Sequence, residues 1–246
     1  MKDLINKVIL GDCLEEMMDI DKNSIDAIIT DPPFGTTACK WDTVIPFQEM
    51  WQHLNRIIKP NGAIVLFGSE PFSSALRMSN IKNYKYDWTW NKHSISNSML
   101  CKKQPLNNVE LISIFYKKQP TYNPQMTQGE KWKRGGREGE HKSYLYGANI
   151  NIKINKEDSG VRYPKRILEF SLESTEASRS KRFHPTQKPV ALMEYLIKTY
   201  TNENETVLDF TAGSGSTGVA CKNLNRNYIL IEKEKEYIDI INKRLI

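Results

Sequence analysis

The sequence has no apolar run that approaches the roughly 18 uncharged residues of a membrane-spanning helix. Asp3 and Gly11-Asp12-Cys13 interrupt anything resembling a signal-peptide core, so the chain is expected in the cytoplasm with no membrane partner. Cysteine is scarce: Cys13, Cys39, Cys101 and Cys221 are scattered, no CxxC pair occurs, and no histidine stands at ligand spacing. That argues against a disulfide framework and suggests no metal site; the thiols are expected reduced and mostly buried. No internal repeat or low-complexity tract is present.

What remains is an ordinary globular composition. The 246 residues are 39% apolar and 26% charged with a mean hydropathy of -0.56. A chain of that size, one to two domains, buries roughly 70% of its unfolded surface without disulfides. The net charge of +6 is unevenly placed: residues 117–182 hold 15 Lys and Arg against 8 Asp and Glu, the rest 20 against 21. Tyr122, Trp132, Tyr144, Tyr146 and Tyr163 are interleaved with those cations. A polyphosphate-binding surface needs this combination, because each cation that neutralises a phosphate releases counterions. The competing reading is a merely solvated face.

Short apolar runs at Lys7–Leu10, Ile25–Thr30, Ala63–Phe67, Leu111–Tyr116, Glu205–Phe210 and Tyr228–Ile231 predict buried strands of a mostly parallel sheet. They alternate with helical patterns. Phe47–Ile58 places Phe47, Met50, Trp51, Leu54 and Ile58 on one face, and Lys59-Pro60-Asn61-Gly62 stops it. Further helices are predicted at Pro189–Tyr200, with Pro189 in the first turn, at Thr217–Leu224 and at Lys235–Leu245. Such alternation predicts an open α/β sheet with helices on both faces. The pattern fails between Lys117 and Arg182, and an irregular stretch of that length is functional or disordered.

Two constellations carry chemistry. In Val207-Leu208-Asp209-Phe210-Thr211-Ala212-Gly213-Ser214-Gly215-Ser216-Thr217-Gly218 a strand runs into a glycine-rich turn and then a helix, whose first amides are free to meet a ligand. Gly213, Gly215 and Gly218 fit GxGxxG, and Glu232 ends the next strand, where a carboxylate accepts from ribose hydroxyls. This predicts a nucleoside-containing cofactor and leaves a nicotinamide dinucleotide and S-adenosylmethionine open. The second constellation, Ile28-Ile29-Thr30-Asp31-Pro32-Pro33-Phe34, decides between them. Tandem prolines remove two amides and leave carbonyls free. The Asp31 carboxylate and a proline carbonyl are two acceptors for the two hydrogens of an exocyclic amine, and Phe34 is a stacking surface for a planar base.

Together these segments resemble the amino-group DNA methyltransferases, which use S-adenosylmethionine to methylate the exocyclic amine of adenine or cytosine. Asp31 to Phe34 precede the glycine turn and the basic stretch lies between, the order of the permuted β group of that family. Phe67-Gly68-Ser69-Glu70-Pro71-Phe72 and Gln119-Pro120-Thr121-Tyr122-Asn123-Pro124 resemble its small phage and prophage members. The resemblance implies one Rossmann-like domain over residues 1–246, with 117–182 as an inserted target-recognition segment. In it the chain begins with the usual third strand, passes Asp31 on the fourth and closes with the first and second. It implies S-adenosylmethionine contacts from Asp12, from Thr186 and Lys188 of His184-Pro185-Thr186-Gln187-Lys188-Pro189, from Asp209, Thr211, Gly213, Gly215, Ser216 and Thr217, and from Glu232. Asp31, Pro32, Pro33 and Phe34 are the implied catalytic residues. Two positions depart from the family pattern: Thr211 stands where Phe is common, and Phe34 where Tyr is.

The implied partner is double-stranded DNA with the target base flipped out, at a cost of a few kcal/mol. Lys133, Arg134, Arg137 and Lys142 are the candidate nucleic-acid contacts, and a homodimer is left open beside a monomer. Asp before the prolines favours adenine over cytosine by resemblance. RNA in place of DNA, and a catalytically retired cofactor- and nucleic-acid-binding protein, are the alternatives. A protein-glutamine methyltransferase would carry Asn at position 31 and its glycine turn first. His53, His93 and His141 are isolated and read as structural or surface residues, while Asn91, Lys92 and Ser94–Ser98 read equally as core, loop or base-facing.

Overall fold

The computed structural model describes residues 2–37, 39, 42–131, 141–143, 148–150, 158–172, 177–178, 180 and 182–246. These fall into two compact units, one of 1–123 with 165–246 and the other of 124–164. Lys133, Arg134 and Arg137 lie outside the described residues, as do the side chains of Lys142 and His141.

The larger unit contains β1 (Lys7–Leu10), α1 (Cys13–Glu16), β2 (Ile25–Thr30), α2 (Phe47–Ile57), β3 (Ile58–Gly68), α3 (Phe72–Ser79), β4 (Tyr84–Asn91) and β5 (Val109–Phe115). In the smaller unit β6 (Thr127–Gln128) pairs antiparallel with β9 (Val161–Arg162), and β7 (His141–Ser143) with β8 (Ala148–Ile150). The larger unit resumes with β10 (Ile167–Glu169), α4 (Val190–Tyr200), β11 (Thr206–Asp209), α5 (Ser216–Asn223), β12 (Asn227–Glu232) and α6 (Lys235–Arg244).

Its sheet runs β1-β12-β11-β2-β3-β5-β4-β10. Only β5 runs against the others. The N-terminal strand at one edge, beside the two C-terminal strands, is the permuted order expected from sequence. Both faces are covered, which is why the strands read as continuous apolar runs. In β3, Ile64 and Leu66 join a core with Leu54, Ile57 and Phe115, while Ala63, Val65 and Phe67 join one with Leu192, Leu196 and Ile197. Each fully buried Leu, Ile, Val or Phe side chain among these contributes about 1.5–3 kcal/mol.

Several details differ from the sequence reading. Lys59-Pro60-Asn61-Gly62 does end the helix, but it belongs to β3, where the register shifts between Ile25 opposite Ile58 and Ala27 opposite Ala63. The extra residues bulge out, so Pro60 breaks no regular ladder. Pro189 is the extended residue before α4 rather than part of its first turn. Two thiols, Cys39 and Cys101, are exposed because they sit in loops after β2 and β4; Cys221 is buried on α5. The reading also missed α3 and β10. Among the described residues no helix is long and apolar enough to cross a membrane.

Candidate active site

β2 and β11 are neighbours, with Ala27 opposite Val207 and Ile28 opposite Leu208, so the proline segment and the glycine turn leave the sheet side by side. Open α/β sheets build their sites at this carboxyl edge. Asp209 braces it. Its Oδ1 accepts from Thr30 Oγ1 at 2.6 Å and the Thr211 amide at 3.2 Å, and its Oδ2 from Thr217 Oγ1. Burial raises its pKa and these donors pull the other way. Expected at the cofactor, Asp209 lines the site with both oxygens committed to holding β2, the turn and α5 together. Thr211 adds a second tie: its hydroxyl lies 2.6 Å from Thr30 Oγ1 and 3.1 Å from the Asp31 carbonyl. Thr211 thus brings hydrogen bonds to the position where the family commonly has Phe.

Gly213 and Gly215 have φ of 53° and 78°, left-handed values that cost other L-residues about 1–2 kcal/mol. The turn aims the Gly213 amide at Glu232 Oε2, 2.7 Å away, and the Glu234 amide donates to Oε1 at 2.9 Å. Burial raises the Glu232 pKa, offset by these amides. A carboxylate oxygen has more than one lone pair, so both oxygens keep acceptor capacity beside these amides. Asp12 caps α1 through the Leu14 amide at 3.0 Å and lies 3.3 Å from Lys233 Nζ.

The segment before α4 packs against both the glycine turn and Asp31. His184 Nδ1 accepts from the Thr186 amide at 3.2 Å, and its ring packs edge-on to Tyr237 at 4.3 Å. Burial, with Lys188 and Arg182 nearby, lowers its pKa to about 4, so the imidazole is neutral. Gln187 Oε1 accepts from the Phe183 amide and from Ser214 Oγ, at 2.9 and 3.1 Å, which ties this segment to the glycine turn. Lys188, expected at the cofactor, has its Nζ 2.6 Å from Asp31 Oδ2. The other oxygen, Asp31 Oδ1, is buried and has no hydrogen-bond partner among the described residues. Burial, opposed by Lys188 and assisted by Glu110, pushes the Asp31 pKa up to about 6.

Phe34 packs against Phe72, ring centroids 5.1 Å apart. The loop after it is held by Asp42, which accepts from the amides of Gly35, Thr36 and Thr37 at 2.8, 2.9 and 2.6 Å. Burial works against its charge, but those donors carry its pKa below the usual carboxylate value. The sequence reading missed Asp42, whose partners follow no local motif.

These parts surround a cavity of about 350 Å³, lined among others by Asp12, Asp31, Phe34, His184, Thr211 and Glu232. That is within the roughly 300–1,000 Å³ of small-molecule sites. Pro32, Pro33, Thr186, Lys188, Asp209, Ser216 and Thr217 also line it, so the structure gathers the expected residues around one space. Gly213 and Gly215 shape the turn beside it. His93 lies apart, its Nε2 2.7 Å from Glu169 Oε2 on the surface, and His53 is half-buried on α2.

A family model described as DNA methylase, of the N6/N4 type, matches residues 25–243. The chain is similar to the Type II methyltransferase M.HpaI of Haemophilus parainfluenzae, 28% identical over 97% of this chain and 74% of that protein. It is also similar to the Type II methyltransferase M2.DpnII of Streptococcus pneumoniae, 28% identical over 98% of this chain and 90% of that one. Among solved structures, the M1.HpyAVI–SAM complex is similar with a TM-score of 0.65 and 27% identity, over 97% of this chain and 98% of that one. The cytosine-N4-specific PvuII DNA methyltransferase shares the fold, with a TM-score of 0.70 and 18% identity over 98% of this chain and 86% of that one.

Proposed function

The chain belongs to the DNA methylase family, and on that premise we propose that it transfers a methyl group from S-adenosylmethionine to the N6 amine of an adenine flipped out of duplex DNA. The observation that carries this reading is Asp31 Oδ1, a buried acceptor with no partner among the described residues, at a pocket that also holds Glu232 and Phe34. The cofactor fits the other half of that pocket. Glu232 has acceptor capacity for ribose hydroxyls, Asp12 stands beside it for the adenine, and the glycine turn and Thr186 remain for the methionine end. Bound there, S-adenosylmethionine supplies an electrophilic methyl on a sulfonium sulfur.

The chain's own residues orient the nucleophile. Asp31 Oδ1 and the Pro32 carbonyl accept the two amine hydrogens and favour a pyramidal nitrogen, while Phe34 stacks on the base. The methylated amine is acidic enough to give its surplus proton to Asp31 or water, so no strong base is required. Phe34 in place of Tyr preserves the ring that stacking needs. We place this activity in the cytoplasm.

The test is transfer of labelled methyl from S-adenosylmethionine to duplex DNA, with nucleosides separated after digestion. N6-methyl-2′-deoxyadenosine bearing the label supports the reading, and label on N4 of deoxycytidine moves the target to the other base. Glu232→Ala is expected to weaken cofactor binding by about 1–3 kcal/mol, the range for hydrogen bonds to a charged group. Calorimetry checks this, and an unchanged affinity would move the ribose contact elsewhere.

DNA is proposed to lie along the basic segment of residues 117–182. Neutralising Arg134 and Arg137 together should weaken binding on cognate and random duplexes alike, flattening the log–log salt dependence by roughly 0.9 for each phosphate that no longer meets a cation. A salt titration that gives identical slopes for wild type and the double alanine variant would mean these cations are solvated surface.

A further inference from the structure

Four charged side chains alternate in sign from the pocket lining inward, Asp31, Lys188, Glu110 and Lys92, and the proposed chemistry uses only Asp31. Lys188 Nζ lies 2.6 Å from Asp31 Oδ2 and 3.2 Å from Glu110 Oε2, and Glu110 Oε1 accepts from Lys92 Nζ at 3.0 Å. They come from four separate places: the end of β2, the segment before α4, β5, and the residue after β4. Both lysine side chains are only 8% exposed. Lys188 is further confined by the rings of Phe67 and Trp90, whose centroids lie 5.2 and 5.9 Å from Nζ. Buried cations persist only when paired, so this row has a definite arrangement.

That arrangement bears on the acceptor. Asp31 is held through Oδ2 alone, which fixes where Oδ1 points. On the reading that Asp31 accepts the target amine, we propose that Lys188 and Glu110 are positioning residues for methyl transfer. Lys188 orients Asp31 and keeps it ionised; Glu110, backed by Lys92, holds Lys188 in place and moderates its charge. The lysine of the HPTQKP segment thereby serves the catalytic carboxylate rather than the cofactor.

The charged groups around Asp31 give the two residues opposite effects. Lys188, from the segment before α4, favours its ionised form, while Glu110 from β5 and Asp209 from β11 oppose it. Lys92 stands beyond Glu110, and His184 across the pocket is neutral. Loss of the Lys188 charge leaves two buried carboxylates together, one of which retains its proton. Loss of the Glu110 charge makes Asp31 easier to ionise. A protonated Asp31 is a poorer acceptor, so activity falls as pH drops through its pKa.

The experiment compares full-length wild type, Lys188→Met, Lys188→Arg and Glu110→Gln in methyl transfer to duplex DNA, measuring kcat and KM from about pH 5 to about pH 9. Cofactor affinity is measured by calorimetry. Lys188→Met is expected to lower kcat by about 100-fold near neutrality, with cofactor Kd within about threefold, as for loss of a preorganised electrostatic partner. Its acidic limb should move up by about one pH unit or more. Lys188→Arg should recover part of the rate, and Glu110→Gln should move the limb down. Opposite displacements are the signature, because general loosening of the core would lower both rates and leave the limbs where they were.

Unmoved limbs in both variants would overturn the inference, as would a Lys188→Met enzyme that keeps kcat and loses cofactor affinity. Should Lys188→Met fail to fold, Glu110→Gln decides alone, and a limb that stays or rises overturns the proposal. A wild type that methylates no DNA would remove the functional reading and this inference with it. An active wild type with unmoved limbs would remove only this inference.

Discussion

Replacing Asp31 with alanine is expected to lower methyl transfer by at least about 10²–10³-fold, the size of losing a preorganised polar group at a reacting centre. Cofactor binding should remain within a few fold of wild type. The separation follows from position: Asp31 lines the pocket just after the end of β2, whereas Glu232, the proposed ribose acceptor, ends β12, two strands away. The substitution has a structural cost as well. It leaves Lys188 and Lys92 sharing Glu110, and an unbalanced buried charge destabilises by up to about 3–5 kcal/mol. Binding and turnover are therefore compared below the variant's own melting temperature. Turnover within about tenfold of wild type would remove Asp31 from the reaction.

Gly213→Val should produce the reverse, a folded protein without measurable cofactor binding. At φ of 53° a β-branched residue is strained, and relaxing it would turn the amide away from Glu232 Oε2, now 2.7 Å distant. A Cβ at Gly213 would stand 3.8 Å from the His184 ring, so the first added atom meets only ordinary van der Waals contact. Gly215 is a less informative choice, because a Cβ there would come within 3.0 Å of Ile241 and disturb α6. Calorimetry with S-adenosylmethionine measures the outcome. Wild-type affinity in Gly213→Val would count against this turn as the cofactor site.

The sheet was legible in the sequence because its strands are buried on both faces. Val207-Leu208, Ile28-Ile29 and Ile229 to Ile231 contain nothing polar that could belong to a surface. The glycine turn and the two prolines were legible because unusual backbone demands select unusual residues. The charged row was not: Glu110 sits in a strand among apolar neighbours, and its partners Lys188 and Lys92 are 78 and 18 positions away. Asp42 and Gln187 were hidden as well, since a side chain that accepts from loop amides or a hydroxyl outside any helix or strand leaves no periodic trace. Asp209 shows a subtler limit, in that the motif placed it at a strand end that lines the pocket, while its bracing contacts appear only with Thr30 and Thr217 around it. β10 escaped because it is a three-residue edge strand following an irregular stretch.

The most direct measurement is base-resolution mapping of genomic DNA from a host that lacks its own methylation, expressing either the wild-type chain or Asp31→Ala. N6-methyladenine is predicted at a single recurring sequence with the wild type, and its loss is predicted with the variant. Genomic DNA without any methylated amine in the presence of folded wild-type protein would contradict the assignment.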